Sequence, residues 1–356
     1  MTPAATAPRV RTVSTAALYA ERDLTLRVVA RDQVGDGVVV LTLQRAEGHP
    51  VPPWQPGAHV ELDLPGVGIR QYSLCGDPTE RTSWRIAVHL EPAGRGGSSY
   101  LHRHAVPGVE LSAVGPRNRF RFEPPELLQA TSSRIPFRPL PAGPAGPVVL
   151  VAGGIGITPL LPMARAAAAV GADWRLAYLG RDRSAMPFAD EAAALGPRAR
   201  VLPRDERTGF DLDGFLGGEL PAPGTRVWCC GPEPLMTRVR DRCAQVGVEY
   251  HGERFVPGGS GPVLSADEPA FDVELRRSGR TVRVGGGETI TEALEREGLP
   301  ARVSCRVGMC GTCETPVLAG VPDHRDELLD ADERAAGDRV LICVSRAATS
   351  PLVLDL

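Results

Sequence analysis

Four cysteines near the C-terminus of this 356-residue chain have a spacing that specifies chemistry. Cys305, Cys310, Cys313 and Cys343 follow the pattern C-x4-C-x2-C, then 29 intervening residues and the fourth cysteine. Thiolates so spaced wrap a 2Fe–2S cluster, which is a one-electron centre. Gly308, Gly311 and Thr312 are small residues of the same loop. They let the backbone approach the cluster and aim N–H groups at its sulfurs. A structural zinc site also uses four cysteines, but in two similar halves with spacings of about two to four residues. A disulfide framework would need an oxidising compartment. The spacing favours the cluster.

Other residues with chemical potential lie upstream. Arg70-Gln71-Tyr72-Ser73 combines a guanidinium that can clamp a phosphate, a phenol that can cover a flavin, and a hydroxyl that can bond the reactive flavin N5 edge. Gly94–Ser99 is rich in glycine, whose free backbone N–H groups can form an anion nest, with Ser98 or Ser99 adding a hydroxyl. A plain hairpin turn is the alternative. Gly153-Gly-Ile-Gly-Ile-Thr-Pro159 follows an apolar strand and precedes an Ala-rich helix. Thr158 is expected at the N-cap and Pro159 at the first helical position, with a pyrophosphate at that helix end. A tight strand-to-helix turn is the alternative there. Cys230-Gly231-Pro232 ends a later strand, where an open α/β sheet presents its ligand crevice. A polarisable thiol there can lie against a nicotinamide ring, whereas Cys229 and Cys243 read as buried packing. Phe255 closes the run His251–Phe255 and can lie against a flavin, though packing is the ordinary role of such an aromatic. Arg181 and Arg183 can clamp a 2′-phosphate or simply sit in a solvated loop.

These residues need elements to position them. Short alternating apolar runs over 24–124, punctuated by Gly and Pro, predict an antiparallel β-barrel. Residues 125–146 are Pro-rich and aperiodic, a linker or insertion. From 147 to 255 strands alternate with helices, which predicts a doubly wound α/β domain. Helices are expected near 159–170, 187–195, 233–246 and 290–297. Residues 256–268 read as a flexible linker, 269–356 as a compact α+β unit, and 1–23 as a mobile arm.

Composition narrows the function. The chain has net charge −3 and all 40 of its basic residues are Arg. Residues 268–356 hold 16 acids against 11 Arg, so this end can steer toward a basic acceptor. No basic tract suggests a nucleic-acid partner. No apolar run of about 18 residues suggests a membrane span, and the N-terminus lacks the pattern of a signal peptide. A cytoplasmic monomer is expected, with Cys75, Cys229, Cys230 and Cys243 as free thiols.

In their order along the chain, Arg70–Ser73, Gly94–Ser99, Gly153–Pro159, Cys230–Pro232 and the cysteine set resemble the phthalate dioxygenase reductase family, which includes vanillate demethylase reductases. The resemblance covers about residues 24–356. It implies three units: a flavin barrel, a nucleotide domain and a C-terminal β-grasp ferredoxin domain. Arg70, Gln71, Tyr72 and Ser73 would hold FMN; Ala87, Val88 and His89 would line its edge; Gly96, Gly97 and Ser98 would contact its phosphate end. Gly153, Gly154, Gly156, Thr158, Gly231 and Pro232 would border NADH, Cys230 would approach the nicotinamide and Phe255 would flank the isoalloxazine. Ser73, Cys230 and Phe255 are therefore the catalytic candidates. NADH is favoured over NADPH by the resemblance alone, since Arg181 argues the other way. At His89 the family often has Lys, and the segment 124–146 is longer than usual.

The implied activity passes a hydride from NADH to FMN, then single electrons to the cluster and on to a terminal oxygenase. That oxygenase is Rieske-type, acting on aromatic rings or O-methyl groups, or else a haem-thiolate monooxygenase. From another class, the chain would be a non-catalytic iron–sulfur carrier or zinc-binding module.

Overall fold

The computed structural model describes residues 22–122, 146–206, 209–218, 221–255 and 264–356. The expected N-terminal arm up to residue 21, nearly all of the Pro-rich segment and the first part of the linker lie outside the described residues, whereas Arg22 and Asp23, expected in the arm, already belong to the first strand.

The first unit is an antiparallel barrel. Strands β1 (Arg22–Gln33), β2 (Val38–Arg45), β3 (Ala58–Leu64), β4 (Gly68–Ser73), β5 (Trp84–His89) and β6 (Glu110–Asn118) pair in the order β4-β3-β6-β1-β2-β5. Period-two alternation drives it: Val60, Leu62 and Leu64 of β3 all reach the core with Leu26, Leu41, Trp84 and Ile86. A single bridge, Leu74 to Ile86, brings the two edge strands together and closes the barrel. Helix α1 (Gly97–His104) buries Leu101 in the same core. Arg70–Ser73 lie within strand β4 itself, and their side chains therefore alternate between two faces.

The second unit runs β7 (Val148–Gly153), α2 (Ile157–Ala169), β8 (Trp174–Gly180), α3 (Ala189–Ala193), β9 (Ala199–Pro203), α4 (Leu212–Leu216), β10 (Arg226–Cys230), α5 (Glu233–Val246) and β11 (Glu249–Glu253). Its sheet order is β11-β10-β7-β8-β9, every pair parallel. The apolar run of β7 is buried along its whole length, as a central parallel strand requires. Helix α2 begins earlier than the sequence suggests. A 3-10 turn at Gly154–Gly156 leads into it, so Gly156 is the N-cap and Thr158 and Pro159 are its second and third residues. Thr158 is not a cap: its hydroxyl donates back to the Ile155 carbonyl at 2.9 Å.

The third unit contains β12 (Phe271–Leu275), β13 (Arg280–Val284), α6 (Ile290–Arg296), β14 (Glu314–Ala319), β15 (Pro322–Asp323), α7 (Ala331–Ala336), β16 (Arg339–Leu341), β17 (Arg346–Ala347) and β18 (Leu352–Leu354). The main sheet is ordered β13-β12-β18-β14-β16, with β12 and β18 parallel, and α6 packs its apolar face on it in a β-grasp. Thr289 and Glu292 form a reciprocal capping box that starts α6. Glu268, at the end of the expected linker, is bound into this unit by Arg325 at 2.8 Å and Arg346 at 3.1 Å.

The joints between units differ in kind. The barrel and the parallel sheet share one apolar core, in which Val38, Val40, Ala87, Phe120 and Phe122 meet Leu150, Leu160, Met163 and Trp228. Phe122 meets Trp228 edge-on with ring centroids 5.0 Å apart, and the Trp228 indole donates to the Arg121 carbonyl at 2.9 Å. The third unit keeps its own core around Val273, Ile290, Leu341 and Leu352.

Gly57 sits at the apolar joint with φ +90, and a Cβ there would lie 1.9 Å from the Phe120 carbonyl oxygen. Gly57→Ala is therefore expected to destabilise the barrel–sheet pair by on the order of 2 kcal/mol. Thermal denaturation should show a midpoint several degrees lower, and an unchanged midpoint would refute this packing.

Candidate functional site

Strand β4 is the organising element. Its register on β3 pairs Leu62 with Arg70, Glu61 with Gln71, Val60 with Tyr72 and His59 with Ser73. Each β4 residue meets a different neighbour. Arg70 lies across the start of α1 and donates to the Arg95 carbonyl at 2.6 Å and the Ile69 carbonyl at 2.8 Å. Its Nε is buried and has no partner among the described residues. Gly97 makes room for it, since a Cβ would lie 2.6 Å from Arg70 Cγ. Gly96, at φ +82, caps α1 without a side-chain hydrogen bond. An orphaned guanidinium N–H beside a helix N-terminus of glycines is a fit for a phosphate. Ser98 is engaged differently, its hydroxyl accepting from the Glu91 N–H at 3.0 Å.

Tyr72 packs against the barrel core, and burial pushes its phenol well above the ordinary range. Ala87 and Val88 are buried on β5, while His89 is exposed at its end.

Ser73, at the end of β4, crosses to the second unit. Its hydroxyl lies 3.4 Å from a carboxylate oxygen of Glu253. The parallel register places Glu253 beside Cys230, and Cys230 beside Ala152, at the carboxyl end of the sheet. Cys230 is fully buried and Glu253 partly so: desolvation raises Glu253 to about 8, opposed by the Ser73 hydroxyl, and holds the Cys230 thiol protonated, well above its ordinary value. The glycines explain how two strand-to-helix turns come so close. A Cβ on Gly156 would lie 2.2 Å from the Cys230 carbonyl oxygen, and one on Gly153 would lie 2.7 Å from Pro232. Gly153 and Gly156 thus pack the turns together, whereas Gly154, at φ +54, faces open space. Phe255 stands two residues beyond β11 and is 39% exposed.

Arg181 is not gathered into this group. Its side chain is 68% exposed and paired with Asp182 at 2.9 Å, while Arg183 pairs with Glu206 at 3.1 Å.

The four ligand candidates are brought together. The Cys305 thiol is close enough to those of Cys310 and Cys343, and Cys343 to Cys313, for each to bias the others' protonation. This proximity holds Cys305 far below an ordinary thiol and pushes Cys310 and Cys343 up. Positive φ at Gly308 and Gly311 shapes the loop, and a Cβ on Gly308 would strike Val344 at 2.6 Å. Among the described residues no three His, Cys, Asp or Glu side chains surround a single ion. A two-iron cluster needs none, because its four thiolates are shared between two irons. None of the eight cysteines is in a disulfide. Among the described residues no helix is long and apolar enough to cross a membrane.

Sequence reasoning missed two acids. Glu253 lay inside the His251–Phe255 run, where only the aromatic was noted. Glu61 lies in one of the alternating apolar runs and was not singled out. In the fold it is covered, because Gln71 next to it on β4 also donates to the Cys310 carbonyl at 3.2 Å in the cluster loop.

Comparison with known proteins completes the picture. The 2Fe-2S iron-sulfur cluster binding domain family matches residues 273–348. A phenoxybenzoate dioxygenase subunit beta from Ectopseudomonas oleovorans is 37% identical, covering 94% of this chain and 97% of that protein. The crystal structure of phthalate dioxygenase reductase, described as a modular structure for electron transfer from pyridine nucleotides to [2Fe-2S], matches with 32% identity and TM-score 0.62, over 94% of this chain and 98% of that one. An intact type IV self-sufficient cytochrome P450 monooxygenase matches with 37% identity and TM-score 0.78; here 94% of this chain covers only 41% of the other. The shared fold and cysteine loop define an electron-transferring oxidoreductase, the reductase component of an oxygenase system. The chain belongs to the phthalate dioxygenase reductase family, and its residues 273–348 form a 2Fe-2S cluster binding domain.

Glu253 generates a pH prediction. Its carboxyl is raised from 4.5 to about 8 in the fold, so the native state holds a proton that the unfolded chain releases. Its contribution is fully present below about pH 4.5 and is lost as pH rises through about 8. Glu253→Gln should therefore gain stability over the parent between pH 5 and pH 8, by on the order of 2–4 kcal/mol. Denaturation midpoints of both proteins across that range test it; parallel curves would refute the protonated carboxyl.

Proposed function

We propose that this chain draws electrons from NADH and delivers them singly to a separate Rieske-type aromatic oxygenase. One observation carries the reading: three residues of β4, Arg70, Gln71 and Ser73, reach the glycine-rich start of α1, the cluster loop and the carboxyl end of the parallel sheet. When bound, FMN accepts a hydride and gives up its electrons one at a time, the conversion that a one-electron cluster requires.

The chain's own residues supply position and electrostatics. Arg70, with the backbone N–H groups of Gly96, Gly97 and Ser98, holds the FMN phosphate. Gln71 and Tyr72 fix the flavin along β4, and Ala87, Val88 and His89 border it from β5. Ser73 presents its hydroxyl to the reacting edge. Gly153, Gly154, Gly156 and Thr158 on one turn, and Cys230, Gly231 and Pro232 on the next, shape the nucleotide crevice at the strand ends. The protonated Cys230 thiol keeps water from the nicotinamide without adding charge. Phe255, partly exposed two residues beyond β11, would flank the flavin. Cys305, Cys310, Cys313 and Cys343 hold the cluster. Arg181 and Arg183 are already paired with carboxylates, which supports NADH over NADPH.

A second reading has its own support. The likeness to the P450 fusion, at TM-score 0.78, favours delivery to a haem-thiolate monooxygenase. Reconstitution of NADH-driven turnover with oxygenases of each kind from the same genome decides between them. An absorption spectrum tests the class itself: flavin bands and a broad cluster shoulder, both bleached by NADH, are expected. A colourless purified protein would overturn it.

Cys310→Ser should separate two activities. NADH-driven ferricyanide reduction at the flavin is expected to stay within about twofold, while electron delivery to the oxygenase falls at least about a hundredfold through loss of a ligand. Equal loss of both would argue against separate flavin and cluster steps.

A further inference from the structure

The joint between the barrel and the cluster unit is polar, and its centre is one buried carboxylate. Glu61, on β3, is 1% exposed. Its Oε1 accepts from Gln71 Nε2 at 3.0 Å, Arg117 at 3.0 Å and the Thr312 hydroxyl at 2.5 Å. Its Oε2 accepts from Arg302 at 2.8 Å. Gln71 and Arg117 belong to the barrel; Thr312 and Arg302 belong to the cluster unit. Around this centre, Ser304 donates to the Ile69 carbonyl at 3.0 Å, Arg117 reaches the Gly311 carbonyl at 3.4 Å, Arg95 donates to the Ser304 carbonyl and Arg119 pairs with Glu314.

A buried carboxylate is costly unless each of its oxygens is satisfied. Burial pushes Glu61 toward its neutral form, but Arg117, with Thr312, Gln71 and Arg302, outweighs it and keeps the group ionised. Half of that satisfaction comes from across the joint. Withdrawal of the cluster unit leaves Glu61 with its two barrel partners alone, so the charge favours the docked arrangement without locking it. The two sides of the joint are unequal. Thr312 is buried, while Arg302 is 48% exposed beside a cleft of about 400 Å³ that Asp23, Glu47 and Asp63 also line. Water therefore reaches the Arg302 half first.

We propose that Glu61 is a positioning residue for electron transfer from flavin to cluster, clamping the loop Cys310–Thr312 against β4. This rests on the reading of the chain as a flavin and cluster reductase. The step moves one electron out of the reduced flavin and into the oxidised cluster, with no bond made or broken. What Glu61 fixes is the separation: Gln71, flanked by Arg70 and Tyr72, shares its amide N–H groups among Glu61, Thr312 at 2.9 Å and the carbonyl of Cys310, itself a ligand residue.

The test uses full-length holoenzyme: parent, Glu61→Gln, Glu61→Asp and Arg302→Gln, matched for FMN and iron content. Stopped-flow absorbance follows flavin reduction by NADH and then cluster reduction. Hydrogen exchange, without NADH, follows the backbone at 69–73 and 302–314. In Glu61→Gln, flavin reduction should stay within about twofold. Cluster reduction should slow by on the order of tenfold or more, since losing a buried, hydrogen-bonded charge depletes the docked population. Exchange should rise in both segments. The cluster's midpoint potential should also rise, because an anion beside it is gone. Glu61→Asp keeps the charge and should retain most of the rate, and Arg302→Gln should show a weaker form of the Glu61→Gln changes. Cluster reduction at the parent rate in both Gln variants would overturn the proposal, as would a slowed rate with unmoved exchange and potential. If Glu61→Gln does not fold, Arg302→Gln carries the same test. A parent protein that binds no flavin would overturn this proposal together with the functional reading; a parent that reduces normally beside unaffected variants would overturn this one alone.

Discussion

The arrangement depends first on the apolar joint between barrel and parallel sheet. Ser73 and Glu253 come from different domains, 180 residues apart in sequence, yet their side chains lie 3.4 Å from each other. Nothing local to either residue fixes that distance. It is fixed by Phe120, Phe122 and Trp228, whose burial makes barrel and sheet one body. Apolar burial is non-directional, but close packing of aromatic rings is not forgiving of displacement. A site for hydride chemistry needs that rigidity, because reacting atoms must be held to a fraction of an ångström.

The cluster joint is built on the opposite principle. It buries charge and hydrogen bonds, whose strength depends on geometry and on exclusion of water. Such a joint is specific when closed and loses little apolar contact when opened. Electron transfer asks less of geometry than hydride transfer does. The chain thus places its stiff joint where atoms move and its polar joint where only electrons move.

Much of this was legible in the sequence, for identifiable reasons. The cysteine spacing is dictated by the cluster's shape, so it reads directly. The apolar run of β7 and the helix Glu233–Val246 have strong periodicity and lie where expected. Thr158 did not follow its capping propensity, because the turn at Gly154–Gly156 is shaped by the close approach of the Cys230 carbonyl. That contact belongs to another strand, and no local pattern contains it. No helix was expected at Gly97–His104, where Leu101 is the one aliphatic side chain; that residue is buried in the barrel core. Glu61 and Glu253 were hidden for a common reason. A charged residue in a strand ordinarily marks the wet face, and only tertiary structure shows that a second domain covers that face.

The pairing of β12 with β18 has a further consequence. The first and last strands of the cluster unit lie side by side at the middle of its sheet, so its two ends are fixed by the same ladder. A unit with neighbouring ends and a private core can be excised or spliced onto another chain without disturbing its interior. Portability of this kind belongs to the β-grasp itself. What cannot be transplanted is the matching surface: a new host would have to grow its own carboxylate to receive Thr312 and Arg302.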